Sequence, residues 1–79
     1  MPHISVKMLE GRSEEQKKKL AAALVETLTR ELRCSPHYVT CTIEDFDAVQ
    51  WQGVFAEEVG GKPASAVYKK AEYDPKDLL

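Results

Sequence analysis

The sequence predicts an α/β (α+β) fold built on one β-α-β unit, and three observations carry that prediction. Apolar and polar residues alternate over His3 to Leu9 and again over Tyr38 to Glu44, the period-two pattern of strands with one covered face. Between them leucines recur every fourth residue, the stripe of an amphipathic helix. Strands joined through such a helix form a right-handed crossover in nearly all cases, so the two strands run parallel with the helix on one face.

Each element has its own local cause. In the first strand Ile4, Val6 and Met8 share one face, and Ser5, Lys7 and Leu9 the other. Gly11 breaks the alternation, and Ser13-Glu14-Glu15-Gln16 reads as a capping box in which side chains satisfy free backbone N–H groups. The long helix then carries Leu20, Leu24, Leu28 and Leu32, widened by Ala21 and Val25, and ends near Arg33. Ser35 and Pro36 stop it, because proline disfavours helical geometry in its predecessor and has no N–H to donate. The second strand, Tyr38 to Glu44, is rich in β-branched residues, with Val39, Cys41 and Ile43 on one face and Tyr38, Thr40 and Thr42 on the other. Trp51, Phe55 and Val59 have helical spacing, so a short second helix is predicted from Ala48 to Val59, ended by Gly60-Gly61-Lys62-Pro63. The stretch Ala64 to Lys70 fits a final helical turn and an edge strand equally well.

Length and composition bound the rest. A chain of 79 residues is read as a single domain, 1–79, without room for a regulatory or targeting module. So short a chain buries only about 60% of its unfolded surface, and parallel sheets are covered on both faces. The open face therefore needs the carboxyl-terminal third or another subunit, and the expectation is a sheet completed by oligomerisation. With 43% apolar and 30% charged residues and a net charge of −2, the chain is globular and lacks the basic face of a nucleic-acid binder. Lys17-Lys18-Lys19 follows Glu14 and Glu15 and reads as solvated helix surface. The longest apolar run, Leu20 to Val25, has six residues, far below the roughly twenty of a membrane span, and no signal-peptide core opens the chain. A cytoplasmic location follows as the expectation. Cys34 and Cys41 lack metal-ligand spacing and read as reduced thiols, so no metal site is predicted.

No phosphate-binding glycine loop, CxxC or HExxH motif occurs. Pro2 stands out instead. A small second residue is what removal of Met1 requires, and the mature chain would begin with a secondary amine. An α-amino group titrates near neutrality, at about 7.7 to 8.0 in model peptides, and a nearby cation with apolar surroundings would tune it as a general base.

Pro2-His3-Ile4, the strand, and then Leu9-Glu10-Gly11-Arg12-Ser13-Glu14-Glu15-Gln16-Lys17 closely resemble the opening of the 4-oxalocrotonate tautomerase family. The resemblance continues through the leucine-striped helix and the Val39 to Asp45 strand. Trp51 with the Tyr68-Lys69-Lys70-Ala71-Glu72-Tyr73 tail is similar to the family's longer, dimeric subgroup, although Ala71-Glu72 stands where proline and glycine are usual. The resemblance implies a cofactor-free isomerase that converts the enol of a small 2-hydroxy-enoate or 2-oxo acid to its keto form. Pro2 would be the catalytic base and Arg12 the binder of the substrate carboxylate, a task suited to the planar guanidinium fork. A second family arginine falls at Thr40, which favours a monocarboxylate such as an aryl-substituted 2-hydroxyacrylate. Trp51 would supply an apolar wall. The implied partners are a small carboxylate-bearing substrate and a second copy of the chain, a homodimer in preference to a hexamer, with neither nucleic acid nor membrane. Two alternatives share the fold: another proline-dependent activity (hydratase, dehalogenase or decarboxylase), and an inactive oligomeric binding module.

Overall fold

The computed structural model describes every residue from Met1 to Leu79. Its main elements are β1 (His3–Leu9), α1 (Glu14–Leu32), β2 (Thr40–Phe46) and α2 (Ala48–Phe55). The chain divides into two compact units, Met1–Asp45 and Phe46–Leu79.

In the first unit β1 and β2 pair as a two-stranded parallel sheet. The Thr40 N–H donates to the Pro2 carbonyl at 3.2 Å, which sets the two strand starts level. Exposure alternates over the strand starts, where Ile4, Val6, Cys41 and Ile43 are half-buried and His3, Ser5, Thr40 and Thr42 are exposed, while Lys7, Met8 and Leu9 at the end of β1 are all half-buried. Ile4 borders one hollow together with Leu24 and Leu28, so α1 lies against the apolar face of the sheet. The open face carries the polar side chains of His3, Ser5, Thr40 and Thr42, together with Lys7 and Leu9.

The capping box forms at the start of α1. Ser13 Oγ accepts the Gln16 N–H at 3.1 Å, and Gln16 Oε1 accepts the Ser13 N–H at 2.9 Å. Gly11 precedes it with φ +122°, a conformation open to glycine and strained for other residues. At the other end Arg33 adopts the left-handed conformation, φ 53°, and the Thr29 carbonyl accepts its N–H. A cross-element tie comes from Lys17, whose Nζ lies 2.7 Å from Asp45 and 3.0 Å from Glu14.

Strand β2 starts later than the residue pattern predicts. Tyr38 belongs to a 3₁₀ turn, Pro36–Tyr38, and the strand runs from Thr40 to Phe46. The reason is local: Pro36 pre-sets the turn, and Ser35 accepts the His37 N–H on its hydroxyl at 3.2 Å and the Tyr38 N–H on its carbonyl at 3.2 Å. These bonds outweigh the β propensity of Tyr38.

In the second unit Asp47 and Gln50 form another capping box, with bonds of 2.7 and 2.9 Å. The predicted helix to Val59 keeps α geometry only to Phe55 and then widens into a π-helical turn, Ala56–Gly60. Gly61 permits this closure, since a Cβ there would lie 2.9 Å from the Ala56 carbonyl oxygen and 3.0 Å from that of Glu57. The undecided stretch contains a 3₁₀ turn, Ala64–Ala66, and no strand. A last 3₁₀ turn, Pro75–Leu78, is capped by Asp74 and tied to α2 through Gln52 Nε2, which donates to the Pro75 carbonyl at 2.8 Å.

No side chain of the single chain is fully buried, polar or apolar. No helix is long and apolar enough to cross a membrane.

Candidate functional site

Pro2 sits at the mouth of the sheet, immediately before β1. It is half-buried, and its carbonyl is held by the Thr40 backbone. Met1 projects beyond it with 89% of its surface exposed. While Met1 is attached, the Pro2 nitrogen is a tertiary amide without basicity; after its removal the same atom is a secondary amine at a position fixed by the strand pairing.

Alternation turns His3 to the open face, where its Nδ1 shares a 2.6 Å hydrogen bond with Thr40 Oγ1. Thr40 therefore engages β1 twice, through its backbone to Pro2 and through its hydroxyl to His3. A uniform reading of alternation assigns His3 away from Pro2 but does not reveal this bond. The available signal is the parallel register, which sets residues at the two strand starts side by side.

Arg12 lies in the loop after β1. The seven-residue strand separates it from Pro2, and at about 3.3 Å per residue the two stand about 23 Å apart along β1. Within one chain Pro2, His3 and Thr40 are brought together and Arg12 is not. The guanidinium is exposed, and its one contact is a long bond from Nη1 to the Leu9 carbonyl, 3.3 Å. Lys17 at this end is already committed: the hydrogen bonds it donates, to Asp45 first and to Glu14 second, raise its pKa above the ordinary 10.5. Arg12 has no carboxylate partner and stays available to an anion from outside the chain.

Trp51 belongs to the second unit, in the first turn of α2, and is half-buried. Its Nε1 donates to Tyr73 Oη at 3.0 Å, and the Tyr73 ring meets Phe55 edge-on at 5.5 Å. The sequence marks Tyr73 only as the end of the family-like Tyr68 to Tyr73 tail. A partly covered indole N–H needs an acceptor, but a partner 22 residues away leaves no periodic trace. No group of three or more His, Cys, Asp or Glu side chains is placed to hold a metal ion.

The sequence family described as "Tautomerase enzyme" matches residues 2–54. A probable tautomerase of Bacillus cereus is 35% identical over 65 residues, covering 82% of this chain and 97% of that protein. Tautomerase PptA of Klebsiella pneumoniae is 30% identical over 70 residues, 87% of this chain and 93% of that one. The 2-hydroxymuconate tautomerase of Bacillus subtilis is 38% identical over 45 residues, 57% and 73% of the respective chains. Among solved structures, the crystal structure of apo unfused 4-OT superposes with a TM-score of 0.60 at 35% identity, over 62% of this chain and 80% of that one.

Proposed function

The chain belongs to the tautomerase family and is an isomerase, and on that premise we propose that it ketonises a small 2-hydroxy-enoate with the Pro2 amine as base. The observation that carries this reading is where the family match begins: at Pro2, the residue whose carbonyl the Thr40 backbone holds at the sheet mouth. The match also continues past Asp45 into α2, which supports treating 1–79 as one functional domain.

The chemistry is a proton relocation. The Pro2 nitrogen, freed from Met1, takes the enol hydroxyl proton while the electrons of the O–H bond form the carbonyl. The enol double bond then collects the proton from the Pro2 ammonium at its distal carbon, and the amine is regenerated. Positive charge near the substrate carboxylate stabilises the enolate between these steps, and Arg12 is the unpaired cation suited to it. Because the length of β1 keeps the two residues of one chain far apart, this reading requires the Arg12 of a second copy to face Pro2. With Thr40 in place of a second cation, a monocarboxylate with an apolar substituent is the substrate class, and Trp51 is its wall. A homodimer in which the sheet or α2 of one copy completes the site of the other is consistent with a chain that buries no side chain fully.

The test compares the processed protein with a variant extended by one residue before Pro2, using phenylenolpyruvate ketonisation corrected for the buffer rate. Acylation removes the lone pair from proton transfer, so the extended protein should lose most of its activity. Equal rates would remove Pro2 from the mechanism and favour an inactive binding module or a different base.

A further inference from the structure

An indole offers one hydrogen-bond donor and no acceptor, so the partner of its N–H decides what kind of surface it presents. In this chain the partner is internal. Trp51 Nε1 donates to Tyr73 Oη at 3.0 Å, which leaves the indole with only apolar faces to offer a ligand.

Tyr73 is itself held from two directions. Its ring packs edge-on against Phe55, which lies one helical turn after Trp51 on the same face of α2. Two residues beyond it, the Pro75 carbonyl accepts a hydrogen bond from Gln52 at 2.8 Å. The helix side is equally fixed, because the Asp47–Gln50 capping box orders the turn that carries Trp51. The hydroxyl of Tyr73 is thus delivered to the indole by a segment bound to consecutive turns of one helix.

We infer that Tyr73 is a specificity-determining positioning residue: by accepting the Trp51 N–H it makes the indole an apolar wall that favours substrates with an apolar or aryl group there and disfavours a second carboxylate. The inference rests on the proposed place of Trp51 in the site. A freed indole N–H would be a donor to a carboxylate, and a site that can donate to a substrate oxygen discriminates strongly for it.

The experiment measures kcat/KM for phenylenolpyruvate, an aryl monocarboxylate, and for 2-hydroxymuconate, a dicarboxylate, in wild type, Tyr73→Phe, Trp51→Phe, Trp51→Ala and the double Trp51→Phe/Tyr73→Phe variant. Trp51 is the only tryptophan, so fluorescence reports its surroundings without ambiguity. Tyr73→Phe keeps the ring and the Phe55 contact. It should shift Trp51 emission to longer wavelength, increase acrylamide quenching, and move the substrate ratio about fivefold toward the dicarboxylate, mainly through KM, the size of one net hydrogen bond. Trp51→Phe should lower both kcat/KM values by the same factor, and adding Tyr73→Phe to it should not move the ratio. If Trp51→Ala leaves both substrates unaffected, Trp51 is outside the site and the reading of that residue falls, taking this inference with it. If Trp51→Ala lowers activity while Tyr73→Phe leaves the ratio within twofold or the emission unchanged, the inference about Tyr73 alone is overturned.

Discussion

Arg12 and Lys17 are basic residues at the same end of the first unit, and the difference in their partners separates their roles. Arg12 has no acidic neighbour bound to it, so its removal should spare folding and strike transition-state stabilisation. A charge-assisted pair in a partly dry site contributes about 1.5 to 3 kcal/mol, so Arg12→Ala should lower kcat/KM roughly 10- to 150-fold with unchanged thermal unfolding. Lysine should rescue only part of the loss, lacking the planar fork. A change smaller than twofold in the alanine variant would make Arg12 ordinary surface. Lys17 gives the opposite expectation. Its bonds to Asp45 and Glu14 raise its pKa above 10.5 in the folded chain, so the folded state holds this proton more tightly than the unfolded one. That contribution is complete below pH 10.5 and disappears as pH rises through the folded value. Urea unfolding of wild type should therefore lose stability above that pH more steeply than Lys17→Met, and identical slopes would mean that the pair contributes nothing.

At the scale of elements, the start and stop of α1 were legible because they are written in adjacent residues. Ser13 with Gln16, Gly11, and Ser35-Pro36 are local signals, and α1 begins and ends where they place it. The same locality explains the shifts at β2 and α2. Tyr38 was taken by the turn that Ser35 and Pro36 nucleate, and the end of α2 was widened by a close backbone approach at Gly61 that no hydrophobic spacing encodes. Gly11 offers a clean test of backbone preference. No atom lies within 4 Å of where a Cβ would stand, so Gly11→Ala meets no clash and its cost is conformational. At φ +122° that cost should be about 1 to 2 kcal/mol, read as a lower urea midpoint at unchanged m-value. An unaltered midpoint would mean that the loop relaxes without strain.

For the whole molecule the decisive fact is that a single chain buries no side chain fully. Leu32 is 61% and Val49 73% exposed, and an apolar hollow of about 380 Å³ opens beside Ile4, Leu24 and Leu28. Buried area contributed by a partner is one route by which chains of this size reach stability. Sedimentation equilibrium at micromolar concentration should give a homodimer, and the unfolding midpoint should rise with protein concentration, since association stabilises only the folded state. A monomer with full tautomerase activity would refute both the assembly and the shared site.

The sequence alone determined the β-α-β order, the parallel pair, the leucine stripe and the family, because periodicity, caps and the Pro2 to Lys17 motif are all short-range patterns. It also marked Pro2, Arg12, Thr40 and Trp51 as the residues to watch. Only the tertiary structure decided their relations. Strand length sets Pro2 and Arg12 of one chain far apart, the parallel register joins His3 to Thr40, and the tail brings Tyr73 onto the Trp51 indole. Each of these is a distance between residues remote in sequence, or a length accumulated along a whole strand. Such quantities arise when the chain closes on itself, and single positions or repeats do not encode them.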